Sequence, residues 1–212
     1  MKNTLFMFIG MSLLTSCNLK EKATDAVTKT MEQAIEAKVG QDIDLPSAES
    51  ILENHASVTY TVGDKTYLSP EEKMHAMVLV NKDASGLSIS FQLSSESGST
   101  MVVTASHVQQ IKPLPLKAAF NAGNSYDGVH PLATAIFMSV KDNTISSNAI
   151  PYDGELIITR LSEEEVAFEV QAKGGHPQEA TTPQSWKPIV IKASLKKPVI
   201  QTMGVESETI FQ

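Results

Sequence analysis

Two copies of one tripeptide gather the residues best suited to chemistry. Tyr-Asp-Gly occurs at Tyr126-Asp127-Gly128 and again at Tyr152-Asp153-Gly154, with His130 close behind the first and Glu155 directly behind the second. Brought into one loop cluster, Asp127, His130, Asp153 and Glu155 would be candidates for catalysis. Two carboxylates roughly 5–10 Å apart can carry out acid–base work on a glycosidic bond. The two tyrosines would add apolar faces with polar edges, suited to stacking on a sugar ring. A glycan-directed hydrolase using Asp127 and Asp153 is the reading this pattern supports. The plainer reading needs no function. Asp-Gly forms turns readily, because Gly accepts positive φ and Asp bonds its own backbone.

Other chemistries find less. The five histidines, His55, His75, His107, His130 and His176, are spread along the chain, and no two have the spacing of a helical or knuckle metal site. Gln41-Asp42-Ile43-Asp44 has two carboxylates two residues apart, without the rest of a calcium loop. The sequence therefore gives no metal site and no cofactor. A nucleophile elbow needs Gly-x-Ser-x-Gly, and Gly123-Asn124-Ser125-Tyr126-Asp127-Gly128 has one residue too many. The single Gly pair, Gly174-Gly175, leads into His176-Pro177 instead of a phosphate-binding helix. Arg160 is the sole arginine, so extensive recognition of anions by Arg forks is not expected.

The scaffold that would hold these residues reads as mainly β from Val58 onward. Val58 to Val62, then Gly63-Asp64, then Thr66-Tyr67 make a hairpin pattern. Leu87 to Leu93 alternates strictly between apolar and polar, as a half-buried strand does. Ser69-Pro70-Glu71-Glu72 carries the cap, proline and glutamate of a helix start and predicts one helical turn. Glu155–Leu161 and Val166–Ala172 flank an acidic tip at Glu163 to Glu165, the clearest hairpin in the chain. Ile189, Ile191, Ala193 and Leu195 form the dry side of a last strand, and the residues from Gly204 read as frayed or as one edge strand. Residues 106–132 and 173–187 are long Pro- and Gly-punctuated segments, the best places for a contact. Trp186 reads as a plug beside the last strand. The fold expected is an antiparallel β-sandwich or β-barrel over residues 57–212, preceded by an N-terminal amphipathic helix. That helix is read from Leu19, Ala23, Val27, Met31, Ile35 and Val39, which recur every four residues. Residues 17–56 then form a tether.

The N-terminus supplies a location. Lys2 precedes a mostly apolar run from Thr4 to Leu14, too short for a bilayer core but suited to a secretory signal. The run ends in Leu14-Thr15-Ser16-Cys17, and Cys17 is the only cysteine. This resembles the lipobox of bacterial lipoproteins. The resemblance implies that residues 1–16 are a signal peptide, and that the Cys17 thiol takes a diacylglycerol and its freed amine an acyl chain such as palmitate. Two or more acyl chains hold a protein durably on a membrane. The stretch from Gly154 to Val170, GELIITRLSEEEVAFEV, also resembles the late hairpin of small β-rich bacterial lipoproteins of unknown function.

Composition bounds what remains. The chain has 212 residues, with 17 Lys+Arg against 24 Asp+Glu and a formal net charge of −7. A single Cys excludes an intrachain disulfide framework, and an acidic balance disfavours nucleic acid. Removing residues 1–16 takes away Lys2 and no acid, so surface charge would not draw the mature chain to anionic lipid. The function expected is a non-catalytic binding or interaction role in the cell envelope, at the outer membrane and held through Cys17. Its partner would be an unknown envelope protein or ligand. Two alternatives are the hydrolase above and a barrel carrying an apolar ligand in a cavity lined by Leu87, Ile89 and Phe91.

Overall fold

The computed structural model describes residues 54–141, 144–147 and 149–211. These belong to one compact unit, Ser50–Gln212. The signal segment, Cys17, the N-terminal amphipathic helix and the tether up to residue 53 lie outside the described residues.

The described residues are mainly β. Twelve strands run in chain order: β1 (His55–Val62), β2 (Lys65–Leu68), β3 (Met74–Asp83), β4 (Gly86–Ser95), β5 (Thr100–Val108) and β6 (Leu116–Asn121); then β7 (Leu132–Lys141), β8 (Thr144–Ser147), β9 (Ile150–Leu161), β10 (Glu165–Gly175), β11 (Lys187–Lys196) and β12 (Val199–Met203). The first strand starts at His55, two residues before the expected domain boundary. All belong to one sheet, ordered β12-β3-β4-β5-β7-β6-β9-β10-β11-β1-β2, with β8 paired to β7. The sheet closes on itself, because β1 also pairs with β3.

The sheet is mixed, which corrects the expectation of a purely antiparallel one. β12 runs parallel to β3 from Val199↔Met77 to Met203↔Asn81, and β6 meets β7 in parallel at Ala119↔Leu132. The second pairing follows from topology. A long loop after β6 carries the chain back before β7 begins, so no tight hairpin reverses it. The ring is well knit except at two seams. β6 and β7 share one registered pair, reinforced where Ala119 N donates to Pro131 O at 2.8 Å. β1 and β3 also share one, Ala56↔Met74. Next to it the Asn54 side chain stands in for a strand: its Nδ2 donates to Ala76 O at 2.7 Å and its Oδ1 accepts from Ala76 N at 2.9 Å. Asn54 is only 4% exposed, so these bonds satisfy backbone groups that would otherwise be buried without partners.

The interior is filled by the alternate positions that the sequence pattern marks. In β3, Met74, Ala76, Val78 and Val80 point in, and Ile89, Phe91 and Leu93 do so in β4. Opposite sides of the ring meet through aromatic contacts. Phe91 on β4 stacks on Phe168 on β10 with centroids 4.6 Å apart, and Tyr60 on β1 lies 4.9 Å from Phe137 on β7. Gly154 explains how β9 and β10 come so close. Its φ is +136°, and a Cβ there would collide with the backbone oxygen of Gln171.

Several local expectations are revised. Ser69 to Glu72 make a turn, closed by Glu72 N donating to Ser69 O at 3.1 Å, and no helix. Residues 106–132 contain β6, where Leu116, Ala118 and Phe120 are buried between exposed Lys117 and Ala119. Residues 204–211 are neither frayed nor an edge strand. After β12 comes a short helix α1 (Ser207–Ile210), and Ile210 and Phe211 are 3% and 8% exposed against the core.

Candidate functional site

The segment joining β6 to β7 carries the first Tyr-Asp-Gly, and its own side chains hold it in shape. At its start Asn121 Oδ1 accepts from Ser125 N at 3.0 Å and Asn121 Nδ2 donates to Ser125 O at 2.9 Å. At its far end Asp127 Oδ1 accepts from Val129 N and His130 N, both at 2.8 Å, while Asp127 Oδ2 lies 2.8 Å from His130 Nδ1. The His130 imidazole, then the backbone amides of His130 and Val129, hold the Asp127 carboxyl well below the ordinary carboxylate range. The pair is solvent-exposed, so solvent screening leaves it little effect on fold stability.

A neighbouring strand completes the surface. Between β4 and β5 the register slips, with Leu87 opposite Val108 but Ile89 opposite Ala105, so β5 carries an extra residue. Such a bulge re-aims the side chains around it. His107 sits there with φ 59° and lies flat on Tyr126, ring centroids 3.9 Å apart and planes 12° from parallel. Its Nδ1 is 3.2 Å from Ser106 Oγ, which donates to Leu132 O at 3.2 Å. Asp83 is nearby, its carboxyl lowered by the Ser85 hydroxyl first and by the charge of His107 among the smaller causes. Val129, beside Asp127, is 71% exposed, the most exposed of the large hydrophobic residues described. An ordered loop thus presents an aromatic pair, a carboxylate–imidazole pair and an apolar side chain together.

The second Tyr-Asp-Gly does another job. Asp153 lies within β9, facing solvent, with Asn121 and Lys173 as register partners. Glu155, two residues on and on the same face, pairs with Lys117 at 3.0 Å. Tyr152 turns inward: its hydroxyl donates to His176 O at 3.0 Å and its ring lies 5.3 Å from Trp186. The two tripeptides are therefore not equivalent turns. The first is a loop, and the second is strand interior with a tight crossing at Gly154. The structure joins Asp127 to His130 and sets Asp153 and Glu155 on the outer face of β9, with Glu155 engaged by Lys117. A glycosidase needs one carboxyl with a raised pKa to donate a proton. At Asp127 the surroundings do the reverse and favour the carboxylate.

The other segment singled out, 173–187, is a compact connection. It holds two 3-10 turns, Pro177–Glu179 and Pro183–Ser185. Trp186 is half-buried rather than a core plug, and its Nε1 donates to Glu179 O at 2.8 Å. The carrier reading needed a void at Leu87, Ile89 and Phe91. Ile89 and Phe91 are fully buried against neighbouring side chains, and Leu87 packs at the margin of the core. A cavity of about 10 Å³ beside Tyr60, Met101 and Phe137 has room for one water and no lipid.

Sequence reasoning missed His107. Nothing local marks it, because its position depends on a bulge that only the pairing of β4 with β5 creates. Among the described residues no helix is long and apolar enough to cross a membrane. No family model, no curated protein and no solved structure matches the chain.

Proposed function

We propose that this protein is a lipid-anchored lipoprotein of the bacterial cell envelope, at the outer membrane, with a non-catalytic role in binding a protein partner. The observation that carries the anchor is Leu14-Thr15-Ser16-Cys17 at the end of an apolar run, with no other cysteine in the chain. A diacylglyceryl group on that thiol would give durable attachment without a membrane-spanning helix. The binding role is supported by the β6–β7 segment. Its backbone is tied at Asn121 and Asp127, so the exposed Val129 and the Tyr126–His107 stack are presented at little further ordering cost. Aromatic and apolar anchors within a polar rim are the usual centre of a protein contact.

A photoreactive amino acid at position 129 tests this reading, expressed in the otherwise wild-type chain and in the Cys17→Ala chain. The reading predicts one discrete crosslinked envelope protein from the anchored form. It predicts loss of that product when Tyr126→Ala or Asp127→Ala is added. A diffuse ladder that is unchanged by these substitutions would refute it.

A further inference from the structure

We propose that His55 and His75 form a two-histidine site for a late first-row divalent ion, such as copper(II), nickel(II) or zinc(II), across the seam where β1 meets β3. The two are twenty residues apart in sequence, so their spacing gives no hint of a site. The pairing does. β1 and β3 are antiparallel with Ala56 opposite Met74, and stepping one residue along each strand sets His55 opposite His75. Beyond this the backbone ladder stops, and the Asn54 side chain takes its place by bonding both backbone groups of Ala76, which keeps residue 54 beside residue 76.

The edge geometry favours the pair. Ala76 presents both its N–H and its C=O to the seam, and residues of the same parity in a strand share an edge. His75, of the other parity, is therefore in a non-hydrogen-bonded position, where facing side chains come closest, with Cβ atoms about 4.5–5.5 Å apart. Both residues lie on the outer face, since their neighbours Ala56 and Met74 point into the core. Two imidazoles at that separation can converge on one ion at about 2.0–2.1 Å from each nitrogen. Imidazole suits copper, nickel and zinc, with copper(II) bound most tightly.

A second observation comes from His75 itself. Its Nδ1 is buried and has no hydrogen-bond partner, the sole side-chain nitrogen or oxygen in that state among the described residues. Buried polar atoms are almost always satisfied, and a bound ion is one recognised reason for an exception. The strand register places further groups beside the pair. Lys196 is the register partner of His55 on β11, and Glu165 on β10 is the partner of Lys196 in turn, with its carboxylate engaged by Arg160. Ser94 on β4 is the partner of His75. Among the described residues no group of three or more His, Cys, Asp or Glu gathers to hold a metal. The ion would therefore keep water or a partner's group in its remaining positions. It would also clip the seam that otherwise rests on one registered pair and the Asn54 amide.

The full chain, made without a histidine tag, is the material for the test. Thermal unfolding is followed in nickel(II) and in zinc(II), with and without chelator, and copper(II) binding is followed by electron paramagnetic resonance. The expected result is a Tm that rises with metal concentration and falls back with chelator, since an ion bound only by the folded state stabilises it. The copper spectrum should show two equatorial imidazole nitrogens. Both signals should be lost in His55→Ala and in His75→Ala and kept in His176→Ala. Should His75→Ala fail to fold, the exposed His55→Ala decides alone. A wild-type chain without any shift, or a shift that survives in His55→Ala, overturns the proposal.

Discussion

Replacing Asn54 by alanine tests whether the ring is closed as described. Asn54 makes two buried bonds, donating to Ala76 O at 2.7 Å and accepting from Ala76 N at 2.9 Å. The shorter side chain would leave a backbone N–H and a backbone C=O at the seam without partners. A buried polar group left unsatisfied costs about 1–3 kcal/mol. Water entering at the seam would relieve part of this, so the expected loss is about 2–4 kcal/mol. For a domain of this size that lowers Tm by roughly 4–15 °C. Asn54→Asp should be at least as damaging, because it keeps an acceptor, loses the donor to Ala76 O and buries a charge. Urea unfolding followed by the fluorescence of Trp186 is a suitable assay, since that indole is half-buried against Tyr152. The midpoint should fall with little change in slope. A loss below about 0.5 kcal/mol for Asn54→Ala, within the range of ordinary surface substitutions, would mean that the seam does not depend on this side chain and that the reasoning is wrong.

Phe91→Ala should cost about 3–5 kcal/mol in the same assay, because the ring is fully buried. A double-mutant cycle with Phe168→Ala should return a coupling of about 0.5–1.5 kcal/mol for the 4.6 Å stack, and a coupling near zero would deny the contact across the ring. Gly154→Ala should leave little soluble protein, since its Cβ would collide with the backbone oxygen of Gln171; normal yield and Tm would contradict the crossing described there. Tyr60→Phe removes the bond from its hydroxyl to Ala149 O and should cost about 1 kcal/mol at neutral pH. Burial, then the neighbouring Tyr67, raises the Tyr60 pKa above its usual value near 10. The stabilisation linked to its proton is thus complete below about pH 10 and is lost as pH rises toward the folded-state pKa. Tyr60→Phe should therefore unfold less steeply with alkali than the wild type, as pH-jump unfolding would show.

Most strands were legible because one face of each meets the core. Leu87 to Leu93 reads as a strand from alternation alone, and it lies within β4 with Ile89, Phe91 and Leu93 buried. The hairpin around Glu163 to Glu165 is visible for the same reason and becomes β9 and β10. β6 was hidden because Leu-Lys-Ala-Ala-Phe-Asn has two alanines, which are small enough to serve either face and which favour helix as readily as strand. The closing of the ring was not legible either. It rests on single pairs between distant residues, Ala56 with Met74 and Ala119 with Leu132, and no local pattern encodes these. The same holds for the candidate site. Asp127 and His130 are neighbours in sequence and could be paired by eye, whereas His107 comes to Tyr126 only through a bulge. The second Tyr-Asp-Gly misled because its tripeptide repeats the first, while its position inside β9 gives Asp153 and Tyr152 opposite faces.

The membrane anchor is the central claim, and labelled palmitate fed to cells making the wild-type or the Cys17→Ala chain tests it most directly. The account predicts label on the wild-type protein, in the membrane fraction, and none on Cys17→Ala. Wild-type protein without label, or equal label on both chains, would contradict it.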